Sequence, residues 1–186
     1  MNLDTQIFNI AKNAGFTDIS ARLIVAQARL ESANYTSNVF KNNNNMFGMK
    51  FLGKNRQPLA NKGTLAPLSE RTSACRINVN NCTNGDFYAK YDNPVDSVKD
   101  LINRLYNITR NGVTPEMLKN ADSPELFANL LKKRNYFGSS EIDYAKGLKA
   151  RLKKITILPI IGGGSINAIS ILVPLIFFLM YKYLKK

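Results

Sequence analysis

The chain contains no histidine among its 186 residues. That absence excludes Ser-His and Cys-His nucleophilic catalysis and most zinc sites, which need an imidazole as base or ligand. The chemistry must come from carboxylates, amides and tyrosines, and no cofactor or metal is implied. Acidic residues are also few, 13 against 26 lysines and arginines. The first 154 residues carry 23 of the basic and all 13 of the acidic groups. Such a surplus attracts polyanions, whether nucleic acid, anionic lipid or anionic cell-wall polymer, or it serves solubility alone. Helix-turn-helix, zinc and oligonucleotide-sheet signatures are missing, so nucleic acid is not expected as a partner. The N-terminus, MNLDTQIFNIAKNAGF, lacks the basic start and apolar core of a secretory signal. No internal repeat is evident. There are only two cysteines, Cys75 and Cys82 in CRINVNNC. Their spacing suits a disulfide across a β-hairpin with Asn80-Asn81 near the turn, with two free thiols as the alternative.

What is present falls into three regions. Residues 2–14 read as a short amphipathic helix ended by Gly15. Ser20 is a suitable N-cap for a helix over 20–33, with a stripe of Leu23, Ile24, Ala26, Gln27 and Leu30. Residues 46–92 read as a loop-rich β-lobe with strands near 46–52, 75–79 and 86–91. Helical pattern returns at Asn93-Pro94, an N-cap followed by proline at the first helical position, and runs to about 108. Thr114-Pro115-Glu116 and Ser123-Pro124-Glu125 repeat that start, and Ser140-x-x-Asp143 resembles a capping box for a helix through 154. The expected fold class is α+β, mainly α: a domain over 1–152, its β-lobe at about 46–92, followed by one C-terminal transmembrane helix.

That last expectation rests on residues 155–181, which carry no charge. Pro159 and Gly162-Gly163-Gly164 interrupt the run, leaving 165–181 as the best continuous span within a 153–186 anchor. Lysines and arginines flank both ends, as headgroup contacts require. A lipid bilayer is therefore an expected partner through 155–181. The expected localisation is membrane-anchored by a single-pass helix, in a bacteriophage setting such as the internal membrane of a virion.

The residues with the clearest chemical meaning are ARLIVAQARLESANYTSNVFKNNNNMFGMK, 21–50. Glu31 is the one acid there, at the edge of an apolar stripe. A carboxylate so placed is partly desolvated, which favours its protonated form. The segment resembles the signature of the bacterial N-acetylglucosaminidases of glycoside hydrolase family 73. The matching residues are Ala28, Glu31, Ser32, Asn45, Phe47, Gly48 and Lys50, with Met49 in place of the usual Ile. FYAKYDNPVDSVKDLINRL resembles the family's aromatic-rich strand and following helix. RNYFGSSEIDYAKGLKARL resembles its closing segment, with Asn135 replacing a glycine.

The resemblance covers about residues 5–152 and implies a lysozyme-like domain whose substrate is peptidoglycan. It implies that Glu31 protonates the leaving glycosidic oxygen, and it brings Glu70 near the position of a second acid, with Asp86 as a weaker alternative. It sets Tyr136, or in its place Tyr144, against the cleft. Asn45 is expected to position sugar or water, and Phe47 to belong to the core. The leading expectation is an endo-β-N-acetylglucosaminidase cleaving β-1,4 bonds of the wall. A lytic transglycosylase and a catalytically silent wall-binding protein are the alternatives.

Overall fold

The computed structural model describes residues 1–156. Helix α1 (Leu3–Asn13) is capped by Asn2, whose side chain accepts from the Thr5 N–H. It packs on α2 (Asp18–Glu31), around which α6 (Pro115–Lys119), α7 (Pro124–Lys133) and α8 (Glu141–Leu152) gather. Eight residues of α2 are buried, including Leu23, Ile24 and the small Ala21, Ala26 and Ala28, so this helix is the centre of the core. A helix apolar nearly all round is stable only with neighbours on every side. Gly147 permits the closest of these approaches: a Cβ there would sit 3.0 Å from Leu30 Cδ1. The start of α2 differs from expectation. Thr17, not Ser20, is the N-cap, and the buried Ser20 hydroxyl instead donates to Leu118 O at 2.6 Å.

The three proline starts appear as expected, because proline supplies the helical φ and lacks an N–H that would go unpaired there anyway. Asn93, Thr114 and Ser123 cap α5 (Pro94–Leu101), α6 and α7, each accepting a backbone N–H. Ser140 does the same for α8. The end of α5 widens into a π turn, Ile102–Tyr106, closed by Asn107 N–H donating to Ile102 O at 2.8 Å.

Between α3 (Asn38–Asn43) and α5 lies a small lobe built on two antiparallel strands, β1 (Ala60–Leu65) and β2 (Phe87–Tyr91). Ala60 pairs with Tyr91 and Leu65 with Phe87, with a register shift between Lys62 and Leu65. This is less β-structure than expected. Residues 46–52 supply only a bridge from Lys50 to Tyr88. Residues 75–79 are not a strand: Thr72 caps a helix, α4 (Ser73–Ile77), by accepting from the Cys75 N–H. Cys75 and Cys82 are joined in a disulfide, but across helical turns rather than a hairpin. Strand β1 was hidden because ANKGTL has neither β-branched density nor alternation.

Three of the four asparagines at 42–45 attach the lobe to the helices. Asn43 donates to Thr64 Oγ1 at 2.8 Å and accepts from Thr64 N–H at 3.0 Å. Asn44, in the left-handed region at φ 51°, donates to Tyr91 O at 2.9 Å. From the other side, buried Asp100 on α5 accepts from Tyr91 hydroxyl at 2.7 Å and from Gln57 at 3.1 Å.

A mainly helical α+β domain with a two-stranded sheet fits the lysozyme-like organisation. The membrane expectation is corrected. No helix among the described residues is long and apolar enough to cross a membrane. The longest, α2, has 14 residues, roughly 21 Å against a bilayer core of about 30 Å. The run expected to span, 165–181, lies outside the described residues. Ile155, the first residue of the uncharged stretch, is buried in the domain core instead.

Gly63→Ala tests the attachment of the lobe. A Cβ at Gly63 would collide with Asn43 Oδ1 and approach Tyr88 O to 2.8 Å. Overpacking of this kind costs about 1–3 kcal/mol, and the expected loss is read as a lower denaturant midpoint.

Candidate active site

Glu31 is the last residue of α2, and the chain reverses sharply behind it. Ala33, Asn34 and Tyr35 all have positive φ, 51°, 56° and 66°. Left-handed non-glycine residues carry strain and persist only where the surroundings hold them. Ser32 is one such hold: its hydroxyl donates to Ala28 O at 2.6 Å and accepts from Tyr35 N–H at 2.9 Å. The other is a half-buried cluster in which Asp4 accepts from Arg29 Nε at 3.0 Å and from Tyr35 hydroxyl at 2.8 Å. The Glu-Ser pair therefore has a structural reason: the serine ends the helix where the glutamate must stop.

Glu31 Oε1 accepts a hydrogen bond from Tyr144 hydroxyl at 2.6 Å. Burial raises the Glu31 pKa, and the Tyr144 hydrogen bond, which favours the ionised form, offsets part of that rise. Tyr144 and Tyr136 are both shifted up, first by burial, with Glu31's negative charge contributing, so both remain proton donors. Behind them Tyr106 hydroxyl donates to Gln27 Oε1 at 2.5 Å inside the core.

Two clefts open beside Glu31. The first, about 270 Å³, has Phe47, Gly48 and Met49 on the lobe side and Tyr136, Phe137 and Arg110 among the residues on the helical side. The second, about 340 Å³, includes Leu30, Asp143 and Tyr144. Phe137 lies in both and stacks on Tyr144, ring centroids 3.9 Å apart and nearly parallel. Tyr136 and Phe137 are delivered by a tight helix end. Asn135, at φ 56°, follows α7, and the Tyr136 and Asn135 N–H groups return to Leu131 O and Lys132 O at 3.0 and 2.9 Å. Asparagine is the residue after glycine best suited to that left-handed position, which accounts for its replacing a glycine.

Glu31, Tyr136 and Tyr144 are thus brought together. Asn45 is not available to substrate, which corrects the expectation for it. It is buried, donating to Met49 O at 2.8 Å and Ala89 O at 2.9 Å and accepting from Met49 N–H at 3.0 Å. Its amide is occupied in shaping the loop that presents Gly48 and Met49. Glu70 lines neither cleft. It is exposed, accepts from Lys50 Nζ at 2.6 Å and Tyr88 hydroxyl at 2.9 Å, and is held below the ordinary carboxylate range chiefly by Lys50. Asp86 is buried and accepts from the Thr72 and Thr83 N–H groups at 2.5 and 2.8 Å, which lowers its pKa to about 2. Asp86 also lies beside Cys75 and Cys82, but the disulfide leaves no thiolate there for a metal.

Reading the sequence missed Arg110, Leu105 and Asp143 among the cleft residues. Asp143 was visible only as a helix cap. Arg110 had a signal, the Asn111-Gly112 dipeptide that marks a tight hairpin.

The mainly helical α+β fold with its two-stranded sheet fits a lysozyme-like domain. The family model Glucosaminidase, described as mannosyl-glycoprotein endo-beta-N-acetylglucosaminidase, matches residues 9–156. The chain belongs to this family. No curated protein matches it. A chain from the structure of a type VI secretion system effector-immunity complex from Pseudomonas protegens is similar at 16% identity and a TM-score of 0.43. That alignment covers 82% of this chain and 96% of the other.

Carboxyl titration followed by NMR checks the electrostatics. Glu31 is expected to titrate above Glu70 and Glu125, and Tyr144→Phe to move it higher still, because a hydrogen bond to the charged form is lost. A raised native pKa also means that Glu31 costs stability as pH rises through that pKa and costs none below the unfolded-chain value. Glu31→Gln should then melt above wild type at neutral pH and match it at acid pH, as measured by thermal unfolding.

Proposed function

We propose that the protein is a peptidoglycan hydrolase of endo-β-N-acetylglucosaminidase type in which Glu31 is the general acid. Family membership supports a glycosidase acting on peptidoglycan. The observation that carries the residue assignment is the Glu31 carboxyl, part-buried against Tyr144 and opening on both clefts. A general acid must hold its proton near neutral pH and release it to a bridging oxygen, and burial raises the pKa toward that task. Glu31 donates its proton to the glycosidic oxygen, the bond from the anomeric carbon to that oxygen breaks, and its electron pair stays with the leaving sugar. Tyr144 then stabilises the Glu31 carboxylate. Water adds at the anomeric carbon and its proton returns to Glu31. Tyr136 offers part of its ring to the sugar from the wall of the first cleft.

Glu70, held below the ordinary carboxylate range by Lys50 and Tyr88, is the lobe's candidate for a second acid, although it lines neither cleft. A second reading has one observation in its favour. Among the described residues lining the first cleft, Glu31 is the single carboxylate, and a lytic transglycosylase needs one acid that later serves as base. There the sugar's own hydroxyl closes an anhydro ring in place of water.

Wall turbidity and product masses test both. Glu31→Gln is expected to lower the rate by about 10²–10⁴, the usual contribution of a positioned acid, while Glu70→Gln lowers it less than tenfold. A reducing N-acetylglucosamine end marks the hydrolase and an anhydro-muramyl end the transglycosylase. Equal clearing by wild type and Glu31→Gln removes Glu31 from the reaction.

A further inference from the structure

The wall of the Glu31 cleft holds a positive charge that no ion pair answers among the described residues. Arg110 lines the cleft and is exposed, and among the described residues it forms no ion pair. Its backbone is fixed. Arg110 and Val113 exchange both backbone hydrogen bonds, at 3.1 and 3.0 Å, around Asn111 and Gly112 at φ 50° and 76°. Two consecutive positive φ values make the tightest hairpin, whose twist matches its flanking chain. Asn111 Nδ2 then donates to Lys133 O at 2.9 Å, tying the hairpin to the end of α7. The guanidinium is therefore presented from a rigid base, so little ordering entropy is lost when it binds.

A second cation stands close by. Arg134 is only 3% exposed; its Nη2 donates to Leu105 O and to Ile108 O, the latter at 2.7 Å, while its Nη1 has no partner. Burial above all, with the nearby charge of Arg110 adding to it, holds the Arg134 pKa below its ordinary value. Two neighbouring guanidinium groups, neither in an ion pair among the described residues, make a local positive field behind one wall of the cleft. An arginine fork suits a carboxylate, which it can bind through two parallel hydrogen bonds.

The substrate class of the proposed reaction carries such groups. Every second sugar of peptidoglycan bears an acidic lactyl ether, either free or amide-linked to a peptide branch that has carboxylates of its own. A neutral polymer of N-acetylglucosamine has none. We propose that Arg110 is a specificity residue that holds a substrate carboxylate in the Glu31 cleft, with Arg134 reinforcing the field; this rests on the glycosidase reading given above.

The test uses the full chain carrying Glu31→Gln, so that binding is measured without turnover. Calorimetric titration compares soluble glycan oligomers bearing peptide branches, the same oligomers with the branches removed to expose lactyl carboxylates, and both after conversion of carboxylates to methylamides. The carboxylated forms are expected to bind about tenfold tighter than their methylamides, the lower end of what a charge-assisted hydrogen bond contributes. Adding Arg110→Ala collapses that ratio toward one, while Arg110→Lys keeps part of it. A preference that persists after branch removal assigns the lactyl carboxylate, and one that disappears assigns the branch. A tenfold ratio retained in Arg110→Ala, or no ratio in the Glu31→Gln parent, overturns the inference. The two readings fail separately. Wild type that cleaves no glycan removes the activity while the binding ratio still decides Arg110; a turnover lost with Glu31 beside an unmoved ratio removes only Arg110.

Discussion

The hydrogen bond between Tyr144 and Glu31 joins the end of α2 to the first turn of α8, residues 113 apart in the chain. Much of the helical domain is arranged to make that contact possible. Gly147 lets α8 lie against Leu30, the Ser32 turn stops α2 at Glu31, and the stacked Phe137 fixes the Tyr144 ring. The bond also sets the balance of the site. Burial alone would push the carboxyl toward its neutral form. One donor moderates that shift and stands ready when the proton has left.

The lobe obeys a different constraint. It has two short strands and joins the core through Met46, Phe47, Phe51 and Tyr91, and side-chain amides and carboxylates that bond the backbone fix its position further. Asn43, Asn44 and Asn45 reach β1, the end of β2 and the 47–49 loop respectively. Asp86 closes the loop carrying the disulfide, and Asp100 holds Tyr91 and Gln57 from α5. Such buried polar networks fix one arrangement when fully satisfied and are costly when a member is lost. The lobe wall of the cleft, Phe47 to Met49, inherits its shape from them.

How much of this was legible in the sequence follows from which forces are local. Helix starts at Asn93, Thr114, Ser123 and Ser140 were readable because capping is decided within four residues. Glu31 was readable because it interrupts an apolar stripe in a recognisable motif. The cap at Thr17 was missed because Ser20, an equally good capping residue, is drawn into a tertiary bond to Leu118. Residues 75–79 looked like a strand because Ile77 and Val79 alternate with polar residues between turn signals, and the Thr72 cap and the disulfide decided otherwise. Asn45 looked like a ligand-binding amide; only the fold shows its bonding capacity already spent. Arg110 and Asp143 reach the clefts through the placement of a hairpin and a helix start, which spacing along the chain does not encode.

The π turn at the end of α5 decides which side chains back the cleft. Its additional residue per turn sets the phase of everything from Ile102 to Tyr106. Ordinary helical winding through the same residues would swing Tyr106 by one residue's rotation, roughly 100° about the axis, away from Gln27 and the tyrosine layer behind the acid. The winding of the backbone here, as much as side-chain identity, seats that layer.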